Sequence, residues 1–421
     1  MSSRLSAKVY VATWIVFIFI VFRRGAAACT RIGPLYGGEI AIVIFSLLWM
    51  RRACVARFVR NPFGFVTVLF LLAAVPPIVS AYSAVGITFA MQGAIGYYVV
   101  FIYFGYAALH SSVAQRYFIA TLYFVLVLNA FLVILLSVSS IRGLVPCVGG
   151  EPVLGSGGGG YVFYTVGIAY AVIYCRELGS RRAALLLILS FVNYFNGFER
   201  GCMLATVGVV AILIYHRRMW WSSTVRTWLT AAIIAIAGIA SIVINYFPET
   251  RLSEHIEAQG DAALSIIGKS DFRSGSRNHR LEMWERVIAE TIDIDPWFGQ
   301  GFQRPLIEES FKSPHNSFVE IFGYMGLVGA VLAAVLYVLF PLMTAIRLGR
   351  GGYDSPAKDI VFYLCYTMSF YGAAFFGPTL ISPYSALVSS FFFGAFIRCV
   401  ELQARKTSPQ RHPHPISGVG C

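Results

Sequence analysis

The chain has 421 residues, of which 57% are hydrophobic and 13% charged, and its mean hydropathy is +0.70. No water-soluble domain has this balance, so the composition excludes a soluble enzyme and requires a polytopic helical membrane protein. The net charge of +13 is spread over many loops, whereas a nucleic-acid footprint would need one basic patch on a folded domain.

Apolar runs predict an all-α polytopic membrane protein with about 12 transmembrane helices. They lie near 7–22, 36–50, 64–80, 86–109, 117–138, 160–175, 183–198, 201–215, 228–247, 315–341, 359–376 and 382–398. The first run lacks a clear small-residue cleavage site and reads as a retained helix rather than a signal peptide. Residues 1–247 hold the first nine spans, with Gly155 to Gly160 as a flexible link before the sixth. Residues 248–314 form the longest polar loop, a periplasmic one containing short helices. Residues 315–398 return to spans, and 399–421 form a Pro-, His- and basic-rich cytoplasmic tail expected to be disordered from about 403.

Charge placement sets the orientation. Arg4, Lys8, Arg51, Arg52, Arg57, Arg60, Arg116, Arg176, Arg181, Arg182, Arg217, Arg218, Arg226, Arg347, Arg350 and Lys358 fall in one set of loops. The opposite short loops hold Arg23, Arg24, Arg31, Arg142 and Arg200. By the positive-inside rule both termini are cytoplasmic and the 248–314 loop is outside. The eight Cys are scattered, with no CxxC and no metal-ligand spacing. Cys29 and Cys147 alone fall in outer loops, which leaves one disulfide open without fixing it.

The outer loop mixes twelve Asp/Glu with eight Lys/Arg. Arg277 to about Thr291 predicts an amphipathic helix, with Leu281, Trp284 and Ile288 at helical spacing and Ser276 as its cap. Asp295-Pro296 and Gly299-Gln300-Gly301 end it. Arg273, Arg277 and Arg280 share a face if the helix starts early. The bland reading is a solvated, salt-paired surface, which suits Arg286 and Arg251 better than Arg280, one turn before Trp284.

Where the loop meets the tenth span, Ser313-Pro314 is a helix-start signal, with Ser313 as cap and Pro314 in the first turn. His315 then lies in the first turn, at the positive end of the helix dipole, which favours a neutral imidazole able to take a proton and an anion beside it. Contact with lipid headgroups is the alternative. Arg200 sits in Asn196-Gly197-Phe198-Glu199-Arg200-Gly201 between two short apolar runs, where a charge marks a site or pairs with Glu199 in a simple turn. Asp293-Ile294-Asp295 spells the D-x-D of nucleotide-sugar enzymes, but it precedes a helix stop on the side where nucleotide sugars are absent, so no metal site is assigned. Glu39 and Glu320 are the acids nearest the membrane interior, fewer than a proton-coupled transporter would need.

Three motifs in order resemble the O-antigen ligase and polymerase superfamily of membrane glycosyltransferases. They are Arg280-Leu281-Glu282-Met283-Trp284, then Pro296-Trp297-Phe298-Gly299-Gln300-Gly301, then His315-Asn316-Ser317-Phe318 ahead of Gly323, Gly326 and Gly329. The specific part spans roughly 196–330; one departure is Glu199-Arg200, where the family usually carries Ser-Arg. The resemblance implies transfer of a glycan from a polyprenyl (undecaprenyl) diphosphate to a sugar hydroxyl at the periplasmic face of the bacterial inner membrane. It implies no cofactor and no metal. His315 would be the general base, and Arg280 and Arg200 would clamp the diphosphate, with Arg277 and Arg273 as further candidates. Asn316 would orient the base or the acceptor, and Trp284 would border the substrate. Direct attack inverts the anomeric carbon. An O-antigen ligase acting on lipid A-core is the first reading. A polymerase extending lipid-linked repeat units is the second, followed by a protein O-oligosaccharyltransferase and, outside enzymes, a glycolipid flippase.

Overall fold

The structure, a computed structural model, describes residues 3–21, 37–82, 98–137, 147–148, 151–152, 160–196, 200–216, 274–302, 306, 316–349, 357–376, 379–380 and 383–407. These residues are almost wholly helical. In chain order the helices are α1 (Ser3–Val21), α2 (Gly37–Trp49), α3 (Arg52–Arg60), α4 (Pro62–Tyr82), α5 (Val100–Ala108), α6 (Ser112–Ser137), α7 (Gly160–Ile173), α8 (Cys175–Leu178), α9 (Ser180–Asn196) and α10 (Arg200–Tyr215). Then come α11 (Ser274–Ile294), α12 (Ser317–Ala334), a π turn (Val335–Leu339), α13 (Phe340–Gly349), α14 (Lys358–Phe376) and α15 (Pro383–Thr407). The only strands among the described residues, β1 (Cys147–Val148) and β2 (Glu151–Pro152), form a minimal antiparallel pair.

Every predicted span except 228–247, which lies outside the described residues, overlaps a described helix. Three described stretches are long and apolar enough to cross a membrane alone: Ser112–Leu136, Ser317–Gly349 and Ser385–Arg405. Ala7–Val21, Gly37–Trp49, Val162–Ile173 and Ala205–Tyr215 are apolar but shorter.

One helix was not foreseen. Between α2 and α4 the chain forms α3, and the α3–α4 pair bends by 103°. Asn61 makes the elbow: its Oδ1 accepts from the backbone N–H of Phe63 (3.0 Å) and Gly64 (3.4 Å), and Pro62 takes the first helical position.

The interior is aromatic and closely approached. On α5 every residue from Phe101 to Ala108 is buried. This helix crosses α15 where two backbones nearly touch. A Cβ on Gly105 would lie 2.0 Å from the Phe391 carbonyl oxygen, and one on Gly394 would lie 1.9 Å from that of Ile102. Phe45, Phe104, Phe118 and Phe391 fill the space around the crossing. Gln115 is buried yet satisfied. Its Nε2 donates to the carbonyls of Leu109 (3.3 Å) and Ala395 (3.1 Å), and its Oε1 accepts from the Tyr363 hydroxyl at 2.9 Å. The outward faces of the same bundle carry large apolar side chains, Leu47, Leu72, Phe124 and Val207 each being more than 60% exposed. A surface of that kind belongs in lipid, and the chain is an all-α membrane protein.

Residues 399–407, expected in the cytoplasmic tail and disordered from about 403, are helical instead. Helix α15 runs on through Thr407, because Glu401 pairs with Arg398 one turn before it (2.9 Å) and with Arg405 one turn after. Residues 408–421, Cys29 and the 153–159 part of the glycine link lie outside the described residues.

Candidate active site

Helices α9 and α10 are joined through 197–199, and Arg200 opens α10. Three contacts fix the level of that helix start. Gly208 faces Met368 of α14, the hydroxyl of Tyr215 lies beside Gly349 at the end of α13, and Phe318 packs at a tilt against Phe375 with ring centres 5.0 Å apart. Helix α10 therefore runs alongside α12–α13 and opposite to α14. Arg200, a little over two turns before Gly208, stands near the level of Phe375 and of the start of α12, about 12 Å along the axis from Gly208. The backbone thus brings Arg200 and the Asn316 segment to one end of the bundle.

The start of α12 differs from the expected one. Its cap is Asn316, not Ser313: the Asn316 Oδ1 accepts from the N–H of Phe318 (3.0 Å) and Val319 (3.2 Å), and the Asn316 carbonyl accepts from Glu320. An Asn carboxamide satisfies two orphan N–H groups of the first turn, which sets the helix boundary there. His315 consequently precedes the cap instead of lying in the first turn, and like Ser313 and Pro314 it falls outside the described residues. Asn316 is itself buried, at 3% exposure. Ser317 ties the same end to the segment before α15, its Oγ accepting from the Leu380 N–H at 3.1 Å.

Helix α11 also starts earlier than expected, at Ser274, so Ser276 lies inside it and is not its cap. Its packed face is Met283, Val287 and Thr291, with Trp284 half-buried beside them, whereas Leu281 and Ile288 are exposed. Sequence spacing picked the wrong apolar stripe because two stripes exist, and only the one facing Gly323 of α12 is covered. Glycine there admits the side chains of Leu306 and Val287 within 3.0 Å of where a Cβ would stand. Arg280 is half-buried and stands one turn before Met283 and Trp284 on the packed side. Arg277 lies one turn earlier in the helix, and Arg273 is outside the described residues. Arg286 pairs with Glu290 at 2.9 Å on the exposed surface, the bland role expected for it.

The turn after α11 does something the sequence did not disclose. Asp295 stops the helix by accepting from the N–H of Trp297 (2.9 Å) and Phe298 (3.1 Å). That engages the second carboxylate of the D-x-D in holding a turn. The turn then inserts into α12, which breaks at Gly326 (φ 59°, ψ −158°). In an unbroken helix Leu327 and Val328 would donate to the carbonyls of Gly323 and Tyr324. Here Leu327 donates to Pro296 (2.8 Å) and Val328 to Trp297 (3.1 Å), while the Gly323 carbonyl accepts from Gln300 (2.7 Å) and that of Tyr324 from Gly301 (3.1 Å). Two helical hydrogen bonds are exchanged for four with the turn, so none of these four helix groups is orphaned. The glycines are required by space: a Cβ on Gly326 would sit 2.5 Å from the Trp297 carbonyl, and one on Gly299 2.5 Å from the Gly326 nitrogen. Gly326, one of the three glycines that follow the His-Asn entry in sequence, is the break itself.

The family model described as O-Antigen ligase matches residues 185–334. Over that stretch, about a third of the chain, the sequence is similar to this family. No curated protein matches the chain in a direct comparison. The matched stretch runs from α9 to the end of α12 and so contains Arg200, Arg273, Arg277, Arg280, Trp284, His315 and Asn316. Within it the Pro296–Gly301 turn is the element that locks α11, and with it Arg280, to the helix capped by Asn316.

Proposed function

We infer that the chain is a membrane glycosyltransferase that moves a glycan from a polyprenyl diphosphate to a sugar hydroxyl, most simply as an O-antigen ligase delivering it to lipid A-core. The observation that carries this reading is the family match over 185–334, which encloses every residue the chemistry needs. The level of the α10 and α12 helix starts supports it, since two positive dipole ends at one end of a bundle favour an anion there.

The acceptor hydroxyl attacks the anomeric carbon from the face opposite the diphosphate. Its proton passes to His315, the new glycosidic C–O bond forms, and the bond to the diphosphate oxygen breaks with inversion. Diphosphate is a good leaving group, so the main demand is on its growing negative charge. Guanidinium forks from Arg280 and Arg200 suit those oxygens, with Arg277 and Arg273 nearby in sequence. The reaction draws on arginine for this neutralisation and on no cofactor. Asn316 holds the helix start that His315 precedes, and Trp284 lies on the side of α11 that faces the membrane domain. The accompanying topology is twelve spans, both termini cytoplasmic, and the site at the periplasmic face of the bacterial inner membrane.

Deleting the gene and resolving lipopolysaccharide by gel, with an O-antigen blot of the lipid-linked pool, tests the reading. A ligase leaves lipid A-core bare while long polymer accumulates on the carrier. Core capped by one repeat and no ladder would mean a polymerase instead. An unchanged lipopolysaccharide profile would contradict both. His315→Ala is expected to lower transfer by at least about 100-fold, the scale of one general base, in a single-turnover assay with lipid-linked glycan.

A further inference from the structure

The described residues enclose a cavity of about 630 Å³ between the α3–α4 elbow and the end of α15, lined by Arg57, Arg60, Asn61, Pro62, Glu401 and Arg405 among others. It belongs to the end of the bundle opposite the candidate active site. Lys8 at the start of α1 donates to the Leu48 carbonyl (3.1 Å) close to α3, and the buried Arg398 donates to the His110 carbonyl at 2.8 Å. These segments are the ones that the charge bias places in the cytoplasm.

Charge in the cavity is one-sided. Glu401 is the acid among its lining residues, and its carboxylate is already held. Arg398 reaches it at 2.9 Å, and both Arg405 and the Tyr106 hydroxyl donate to it. Arg398 in turn lies over the Tyr106 ring, 5.1 Å from its centre. Arg57 and Arg60 are exposed, and neither has an ion-pair or hydrogen-bond partner among the described residues. Two uncompensated guanidinium groups facing a cavity call for an anion with several oxygens.

The helix that supplies them lies across the bundle, not along it. Helix α3 turns 103° from α4 and buries Phe58 against Tyr103 and Tyr106, with ring centres 5.3 and 5.1 Å away. A short basic helix anchored on one apolar side is built to lie in the headgroup layer. Below the elbow, Phe65, Leu69 and Leu72 continue the helical face of Pro62 along α4 as exposed apolar side chains. A basic cup thus opens onto an apolar track.

We propose that this cavity binds the phosphate headgroup of an anionic membrane lipid, with the acyl chains along α4. The commitment to a lipid rather than free phosphate rests on that continuous apolar track.

The test uses the full chain in phosphatidylcholine nanodiscs doped with phosphatidylglycerol, with retained lipids counted by native mass spectrometry. The wild type should retain phosphatidylglycerol in preference to phosphatidylcholine. The double variant Arg57→Gln/Arg60→Gln should weaken that retention about thirtyfold, the product of two headgroup-layer arginines. Arg347→Gln, an exposed arginine outside the cavity lining, should leave it unchanged. Equal retention of the two lipids by the wild type would overturn the proposal without any variant having to fold. Equal retention by the double variant and wild type would overturn it too. Displacement of the lipid by millimolar inorganic phosphate would make the cavity a small-anion site and reject the lipid.

Discussion

The long helical stretch Ser317–Gly349 is interrupted twice, and the two interruptions are repaired in different ways. At Gly326 the backbone turns out of the helix, and another stretch of backbone, Pro296–Gly301, partners the N–H groups of Leu327 and Val328 and the carbonyls of Gly323 and Tyr324. Near Pro341 the chain widens into the π turn Val335–Leu339, and the Tyr337 carbonyl, to which Pro341 has no N–H to donate, accepts from the Tyr371 hydroxyl of α14. The first repair is made by a loop that carries α11, the helix of the candidate site, on its other side. The second is made by one side chain. A break repaired by backbone cannot be moved or mutated without moving α11, so the fold couples the position of Arg280 to the integrity of α12. A break repaired by a hydroxyl carries no such cargo.

Substitutions can break or sharpen that contrast. Gly326→Ala should have the largest effect, since its φ/ψ pair is reserved for glycine and the new methyl would meet the Trp297 carbonyl at 2.5 Å. A loss of about 3 kcal/mol or more is expected, together with transfer activity, read from the melting midpoint in detergent and a transfer assay. Tyr371→Phe should cost about 1–2 kcal/mol by stranding the Tyr337 carbonyl, yet leave the activity of the surviving folded protein unchanged. If Tyr371→Phe abolished transfer at full stability, the two repairs would not differ in kind. Asp295→Ala should cost about 1 kcal/mol through the lost turn cap and lower transfer more than it lowers stability, because the turn holds α11. Arg286→Ala, which loses an exposed pair, should change stability by less than about 0.5 kcal/mol and activity not at all.

The sequence disclosed the helices because lipid-facing and core-facing positions are both apolar, and a run of such residues is visible without knowing which face is which. That same redundancy hid the packed face of α11. Leu281 and Ile288 were as good a stripe as Met283 and Val287, and only Gly323 of a distant helix decides between them. The cap of α12 was misread for a related reason: Ser313-Pro314 and Asn316 are both good starts, and the two N–H groups that Asn316 satisfies settle the choice. The D-x-D, the Gly-Gln-Gly turn and Gly326 were each noticed separately. That they form one splice could not be read, since it depends on hydrogen bonds between residues 23 and 31 apart in the chain. The α3 helix was legible in hindsight from Arg52, Arg57 and Arg60 around Cys54, Val55 and Phe58, a spacing that a search for long apolar runs passes over.

The most direct measurement incubates the purified chain in detergent with a polyprenyl-diphosphate-linked glycan and a lipid A-core acceptor, and assays for covalent product. The account predicts an inverted glycosidic product and free polyprenyl diphosphate, formed without sealed vesicles and lost with His315→Ala. Movement of the glycolipid across sealed vesicles with no covalent product would contradict it.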